Sequence, residues 1–320
     1  MCIRSIKEQI MILRKLGFLI LISGLIFVSN LEKAKAGEPI FAYLYTTDLL
    51  PAGHFEVEQW ITDREGQAHG FFHHVDFRSE LEYGVSDNFQ IAAYVNYMYA
   101  DESGNSVSSL TEGIEIPSTH NSLNRYNTAR LDGVSLEAMY RVLSPYIDPV
   151  GLAFYIEPEL GFYSNGIEIR GIIQKNYLED QLVVASNMWI ELDREDGSNL
   201  VTPGSTDVPD GSKHNSTYAE IDLGVSYRFA PKWFTGLEFR NHNEYDGFSL
   251  SSNAQAHSAF FLGPNIHYAA EKWFFTFAVL RQLGAVAMTN DQRAQIYNGL
   301  LYGDEHTTWD GIRLIVGMAF

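Results

Sequence analysis

Carboxylates recur at alternate positions along this chain: Glu56 and Glu58, Glu80 and Glu82, Glu157 and Glu159, Glu220 and Asp222. In an extended strand an i, i+2 spacing places side chains on one face. Asp76, Glu137, Glu168, Glu191 and Glu238 fall on the polar face of their own stretches, as do Arg78, Arg141, Arg170, Arg228, Arg240 and Arg313. Like charges that close cannot all stay unpaired in a confined space. Two chemistries fit such a wall. The arginines, with their forked donors, can tie the acids into an ion-pair lattice that fills a narrow interior. Alternatively, the excess of acid lines a path that concentrates cations and excludes anions.

Other chemistry-bearing residues are sparse. His69, His73, His74 and Asp76 lie close together, and histidine with carboxylate at short spacing can bind a transition metal. The rest of a ligand set would have to come from elsewhere, so a histidine-rich surface loop is the simpler reading and no metal is expected. There is no phosphate-cradling glycine loop and no nucleotide motif. No cofactor and no enzymatic activity are expected.

The elements that carry these residues read as strands. In 75–85, Val75, Phe77, Leu81, Tyr83 and Val85 alternate with Asp76, Arg78, Glu80 and Glu82. In 219–229, Ala219, Ile221, Leu223, Val225, Tyr227 and Phe229 alternate with Glu220, Asp222, Gly224, Ser226 and Arg228. Such alternation marks strands with two unlike faces. Twelve segments qualify: 53–62, 74–85, 89–99, 129–142, 151–163, 166–177, 181–193, 217–229, 233–243, 257–268, 273–283 and 309–320. Most exceed the length of globular strands and match the roughly 9–11 residues that cross a bilayer at a tilt.

The connections alternate as well. Those after the second, fourth, sixth, eighth and tenth segments are short, whereas 100–128, 194–216, 244–256 and 284–308 are long and polar. Only Ser164-Asn165 breaks the rule. Short turns at one end and long loops at the other, with an even strand count, are the outer-membrane pattern. Aromatic residues give an independent test. Tyr83, Phe89, Tyr140, Tyr177, Phe229, Trp233, Tyr268, Trp273 and Phe320 all sit where segments meet the short turns, with apolar-face parity. That placement describes an interfacial girdle in contact with outer-membrane lipids. By parity Leu223 faces lipid, where arginine would be costly, and Asp222 faces inward, where charge is expected to be tolerated.

The first residues read as an export signal: basic Arg4, Lys7, Arg14 and Lys15, an apolar run from Leu16 to Val28, then Ala34-Lys35-Ala36. This order predicts cleavage after Ala36, leaving 37–320 as the mature barrel, with strands over about 53–320. The apolar run is shorter than the roughly 20 residues of a spanning helix. Cys2, the only cysteine, lies in that segment. The segment carries six basic and two acidic residues, so the mature chain keeps 16 basic and 38 acidic, a formal net charge of −22. Nucleic acid is therefore excluded as a partner, since phosphate binding needs a basic footprint.

Four stretches carry a family resemblance: Pro51-Ala52-Gly53-His54-Phe55-Glu56-Val57-Glu58-Gln59-Trp60, Phe77-Arg78-Ser79-Glu80-Leu81-Glu82-Tyr83-Gly84-Val85, Gln174-Lys175-Asn176 and Leu262-Gly263-Pro264. The chain resembles an uncharacterised family of Gram-negative outer-membrane β-barrels. The resemblance implies the fold and no assigned activity. The terminal Phe320, on an alternating strand, resembles the signal by which the barrel assembly machinery receives such proteins. Asn241-His242-Asn243-Glu244-Tyr245-Asp246-Gly247 is similar to the Asn-His-x-Ser-Asn-Gly stretch of outer-membrane phospholipases. Glu244 stands where the nucleophilic serine would be, and a base without a nucleophile is not a hydrolase site.

The expected fold is thus all-β: an antiparallel up-and-down transmembrane β-barrel of twelve strands, exported to the bacterial outer membrane. The leading expectation for function is a narrow passive channel favouring cations, its solute unnamed. The alternative is a filled structural barrel that displays 101–128, 194–216 and 284–308. A lipid-modifying enzyme is a distant third.

Overall fold

The computed structural model describes residues 39–104, 116–117, 124–162, 164–196, 200–201, 213–288, 293–302 and 306–320. The proposed signal segment lies outside them. Twelve strands form one closed barrel: β1 (Phe55–Glu65), β2 (Phe71–Ser86), β3 (Phe89–Ser103), β4 (Tyr126–Leu143), β5 (Gly151–Gly161), β6 (Ser164–Tyr177), β7 (Leu182–Asp196), β8 (Lys213–Ala230), β9 (Trp233–Asp246), β10 (Gln255–Ala269), β11 (Trp273–Ala287) and β12 (Trp309–Ala319). Each strand pairs with its neighbours in sequence, and β1 closes on β12 with Glu56 opposite Ala319 and Thr62 opposite Arg313. The last residue seals the seam: Phe320 N donates to Phe55 O at 2.8 Å. No helix among the described residues is long and apolar enough to cross a membrane.

The alternation in the sequence becomes the difference between two surfaces. Leu81, Leu136, Phe154, Ile169, Leu223 and Leu237 are exposed on the outer wall, while their strand neighbours Glu80, Glu82, Glu137, Glu157, Asp222 and Glu238 are buried. A soluble protein rarely exposes a continuous apolar surface of this extent. Several strands run past the segments legible in the sequence. β2 starts at Phe71, β3 continues to Ser103, and β8 starts at Lys213. These extensions lie at the long-loop end, where the ladder continues although the alternation of apolar residues has stopped. The backbone pairing there does not depend on which side chain meets which solvent.

The long connections are not simply loops. Ile116–Pro117 pairs with Leu200–Val201, joining two of them. The connection before β12 departs from the expected displayed loop. Ile296–Tyr297 pairs with Leu300–Leu301, and Leu301, Tyr302, His306 and Thr307 are buried. The side-chain amide of Gln282 draws this stretch inward. It accepts from Leu301 N at 2.6 Å and donates to Leu301 O at 2.9 Å and Thr307 O at 3.1 Å.

Candidate functional site

The interior of the barrel is occupied by the chain's own residues 39–50. Ile40, Phe41, Ala42, Tyr43, Leu44, Thr47, Leu49 and Leu50 are all buried. The segment makes no backbone ladder with the wall among the described residues; luminal side chains hold it instead. Thr276 of β11 donates to Pro39 O. Glu238 of β9 accepts from Ala42 N at 2.9 Å and Tyr43 N at 2.8 Å. Asn187 of β7 accepts from Tyr45 N at 2.7 Å and donates to Tyr45 O at 2.9 Å. Gln174 of β6 accepts from Thr47 N at 2.7 Å, and Gln90 of β3 from Leu50 N at 2.9 Å. The segment therefore circles the inner wall near the short-turn end before entering β1. Buried backbone donors need partners, and this ring of amide and carboxylate side chains supplies them.

Glycines on the wall make the passage possible. A Cβ on Gly224 would lie 2.7 Å from the Phe41 ring, and one on Gly311 would overlap the Tyr43 hydroxyl. Above the segment, four arginines stack on aromatic rings. The Arg313 guanidinium lies 3.8 Å and that of Arg240 4.7 Å from the Tyr43 ring centroid. Arg170 lies 4.8 Å from Tyr45, and Arg78 lies 4.1 Å from Tyr94. A desolvated cation over a ring face is worth up to about 2 kcal/mol. Tyr43 and Tyr45 thus anchor the segment to the arginines.

The same arginines meet the acids. Arg78 pairs with Glu157, which also accepts from Ser135 and Tyr155. Arg170 pairs with Glu168 at 2.8 Å and lies 3.7 Å from Asp222. Arg240 forks onto Glu220 at 2.5 and 2.8 Å. Glu56, Glu58, Glu80, Glu82 and Glu137 are buried on the other side, with Glu58 directly opposite Glu80 and Glu56 opposite Glu82. Glu159 is half-buried and accepts from Asn96 at 3.4 Å. Arg141 and Arg228 are half-buried at the short-turn rim. There Arg141 donates to Thr47 O at 3.3 Å, and Arg228 lies 6.0 Å from the Phe234 ring. Asp222 is fully buried against Arg170, Arg240 and the Trp189 indole. An arginine there would meet two others, so inward parity alone does not make a position tolerant.

Described residues line two luminal cavities. One, of about 170 Å³, is lined by Tyr45, Trp60, Arg78, Glu157, Arg170 and Glu220 among others. The second, of about 250 Å³, lies towards the long-loop end against Arg64, His242, Glu244, His306 and Asp310. They share Tyr43, Arg240 and Arg313. His242 Nδ1 is 2.8 Å from Glu220 Oε2. The His242 ring lies 5.5 Å from that of His306 and 6.3 Å from that of His257. Burial first, then neighbouring His257 and His242, holds His306 well below the ordinary imidazole range.

The first histidine group does not come together. His73 pairs with Asp63 at 3.1 Å, His74 with Asp76 at 3.0 Å, and His69 packs on Tyr297. Consecutive strand residues face opposite ways, which separates His73 from His74. At the short-turn end, Tyr83, Phe89, Tyr140, Tyr177, Phe229, Trp233, Tyr268, Trp273 and Phe320 are exposed or half-buried. Rings meet there between strands, Phe55 with Tyr83 at 4.6 Å and Trp233 with Tyr268 at 4.7 Å.

Sequence reasoning missed the luminal segment, its amide partners and the gathering of His242, His257 and His306. One signal was available. Residues 39–50 are nearly uncharged and apolar without alternation, an unsuitable composition for an exposed tail.

No curated protein matches the chain. Among solved structures it is similar to the NanC porin, at 9% identity and a TM-score of 0.45, over 83% of this chain and 98% of that one. It is also similar to an outer membrane channel from Pseudomonas putida F1, at 12% identity and 0.49, over 85% and 97%. A third is the translocator domain of the autotransporter NalP from Neisseria meningitidis, at 12% and 0.47, over 86% and 90%. A protein-family comparison matches residues 33–320, which include the whole barrel and its luminal segment, and the chain belongs to that family, a family of unknown function (DUF6662).

Proposed function

We propose that this protein is a barrel of the Gram-negative outer membrane, its short turns periplasmic, that passes small solutes along a narrow luminal path closed at rest by residues 39–50. The observation that carries this reading is how the segment is held. Its backbone bonds run to side chains of Gln90, Gln174, Asn187 and Glu238 and not to a strand edge. It can therefore leave while the barrel ladder stays complete. The cavities above it are lined by arginines and acids together, and the cation preference rests on the acids Glu56, Glu58, Glu80, Glu82 and Glu137 buried elsewhere on the wall.

Conductance in planar bilayers tests the reading. Wild-type protein should be silent or open only in brief events. Deleting 39–50 should give stable conductance with a cation-selective reversal potential in a salt gradient, from protein that still shows heat-modifiable barrel migration. Folded deletion protein that stays silent would overturn the channel reading. It would favour the filled barrel, which the burial of Leu301, Tyr302, His306 and Thr307 at the opposite end also supports. An anion-selective potential would overturn the cation preference.

A further inference from the structure

We propose that His242, His257 and His306 form a binding site for a divalent transition-metal ion of the zinc, nickel or copper class, inside the lumen at the long-loop end. The inference does not rest on solute passage. The three residues come from three separate pieces of chain: β9, β10 and the stretch that returns inward before β12. One ligating nitrogen from each lies within 4.8 Å of the others. Metal–nitrogen bonds of about 2.0–2.1 Å in a tetrahedral site place nitrogens roughly 3.4 Å apart. Small side-chain rotations close that difference.

Two further features mark a ligand site and not a packed histidine cluster. The first is an orphan. Among the described residues His306 Nε2 has no hydrogen-bond partner, and the residue is only 9% exposed. A buried polar nitrogen left unpaired calls for an ion or a water. The second is an outer shell already in place. Glu220 Oε2 binds His242 Nδ1 at 2.8 Å, which fixes that nitrogen as donor and leaves Nε2 for the metal. Glu220 is itself held by the Arg240 fork. Ala259, across the ladder from His242, leaves room for the incoming His306 ring.

Glu244 supplies the fourth position. It lies two residues after His242 on the same face and directly opposite His257, with Oε2 3.7 Å from His257 Nε2. It lines the 250 Å³ cavity, which has space for the ion and a water. Three imidazoles with one carboxylate suit zinc, nickel or copper; magnesium and calcium take oxygen ligands.

The test uses full-length protein purified without a histidine tag. Titration with Co²⁺ should give the visible bands of a four-coordinate site and saturate at one equivalent, and Zn²⁺ should displace it. His306→Ala should weaken Zn²⁺ binding by more than about 10-fold, since even an outer-shell change costs that much. His257→Gln should do the same. His73→Ala should leave binding unchanged, because Asp63, Glu65 and His73 are the other group able to gather around an ion. Should the variants fail to show barrel migration, histidine carbethoxylation of the wild type decides. Zn²⁺ should then protect His242, His257 and His306 while His69 remains reactive. No uptake by folded wild type, unchanged affinity in folded His306→Ala, loss in His73→Ala, or no protection of the three histidines would each overturn the proposal.

Discussion

Glu80 and Glu157 look equivalent in the sequence: both are acids of inward parity, each followed by another at i+2. Their surroundings differ. Glu157 neutralises Arg78, whose guanidinium stacks on Tyr94. Glu80 faces Glu58 directly across the strand pair and forms no ion pair among the described residues. Removing one partner of a buried ion pair strands the other charge, at a cost of roughly 3–5 kcal/mol. Relieving a like-charge pair directly across strands recovers at most about 1 kcal/mol. Glu157→Gln should therefore lower the urea midpoint of the folded band markedly, and Glu80→Gln should leave it unchanged or raise it. The opposite order would mean that Arg78 is not held by Glu157. Periodicity could not separate these two acids, because it reports only the face a residue takes.

At the scale of a strand, that one piece of information is strong. β8 alternates without interruption from Ala219 to Phe229, and the exposed set Ile221, Leu223, Val225, Tyr227 and Phe229 is the apolar one. Leu223 lies mid-strand and Phe229 at the short-turn end. Arginine on a lipid-facing strand costs roughly 2–4 kcal/mol at mid-bilayer and roughly 0–1 near an interface. Leu223→Arg should accordingly impair assembly, seen as loss of the heat-modifiable band, while Phe229→Arg should assemble nearly as wild type. Equal loss at both depths would count against a bilayer around this wall. Strand ends were legible only while alternation lasted. Beyond it, as at Phe71 and Lys213, only the pairing of neighbouring strands fixes where the ladder stops.

For the molecule as a whole, the position of the luminal segment bears on processing. Pro39 is held inside the short-turn end by Thr276. A chain beginning at Gly37, as the Ala34-Lys35-Ala36 site predicts, places its new terminus just before that contact. N-terminal sequencing of protein extracted from membranes should read Gly-Glu-Pro-Ile; a chain beginning at Met1 would refute cleavage. The sequence by itself determined the class of architecture: a period of two over twelve segments gives strands with two unlike faces, and short turns alternating with long loops turn the apolar face outward. The aromatic residues at the short turns follow from the same rule. The tertiary structure alone decided what fills the interior. Residues 39–50 are covered on all sides and so carry no alternation to read. Which acid meets which arginine depends on register and on closure of β1 onto β12. His242, His257 and His306 become neighbours only because adjacent strands and an inward-folded connection bring together positions far apart along the chain.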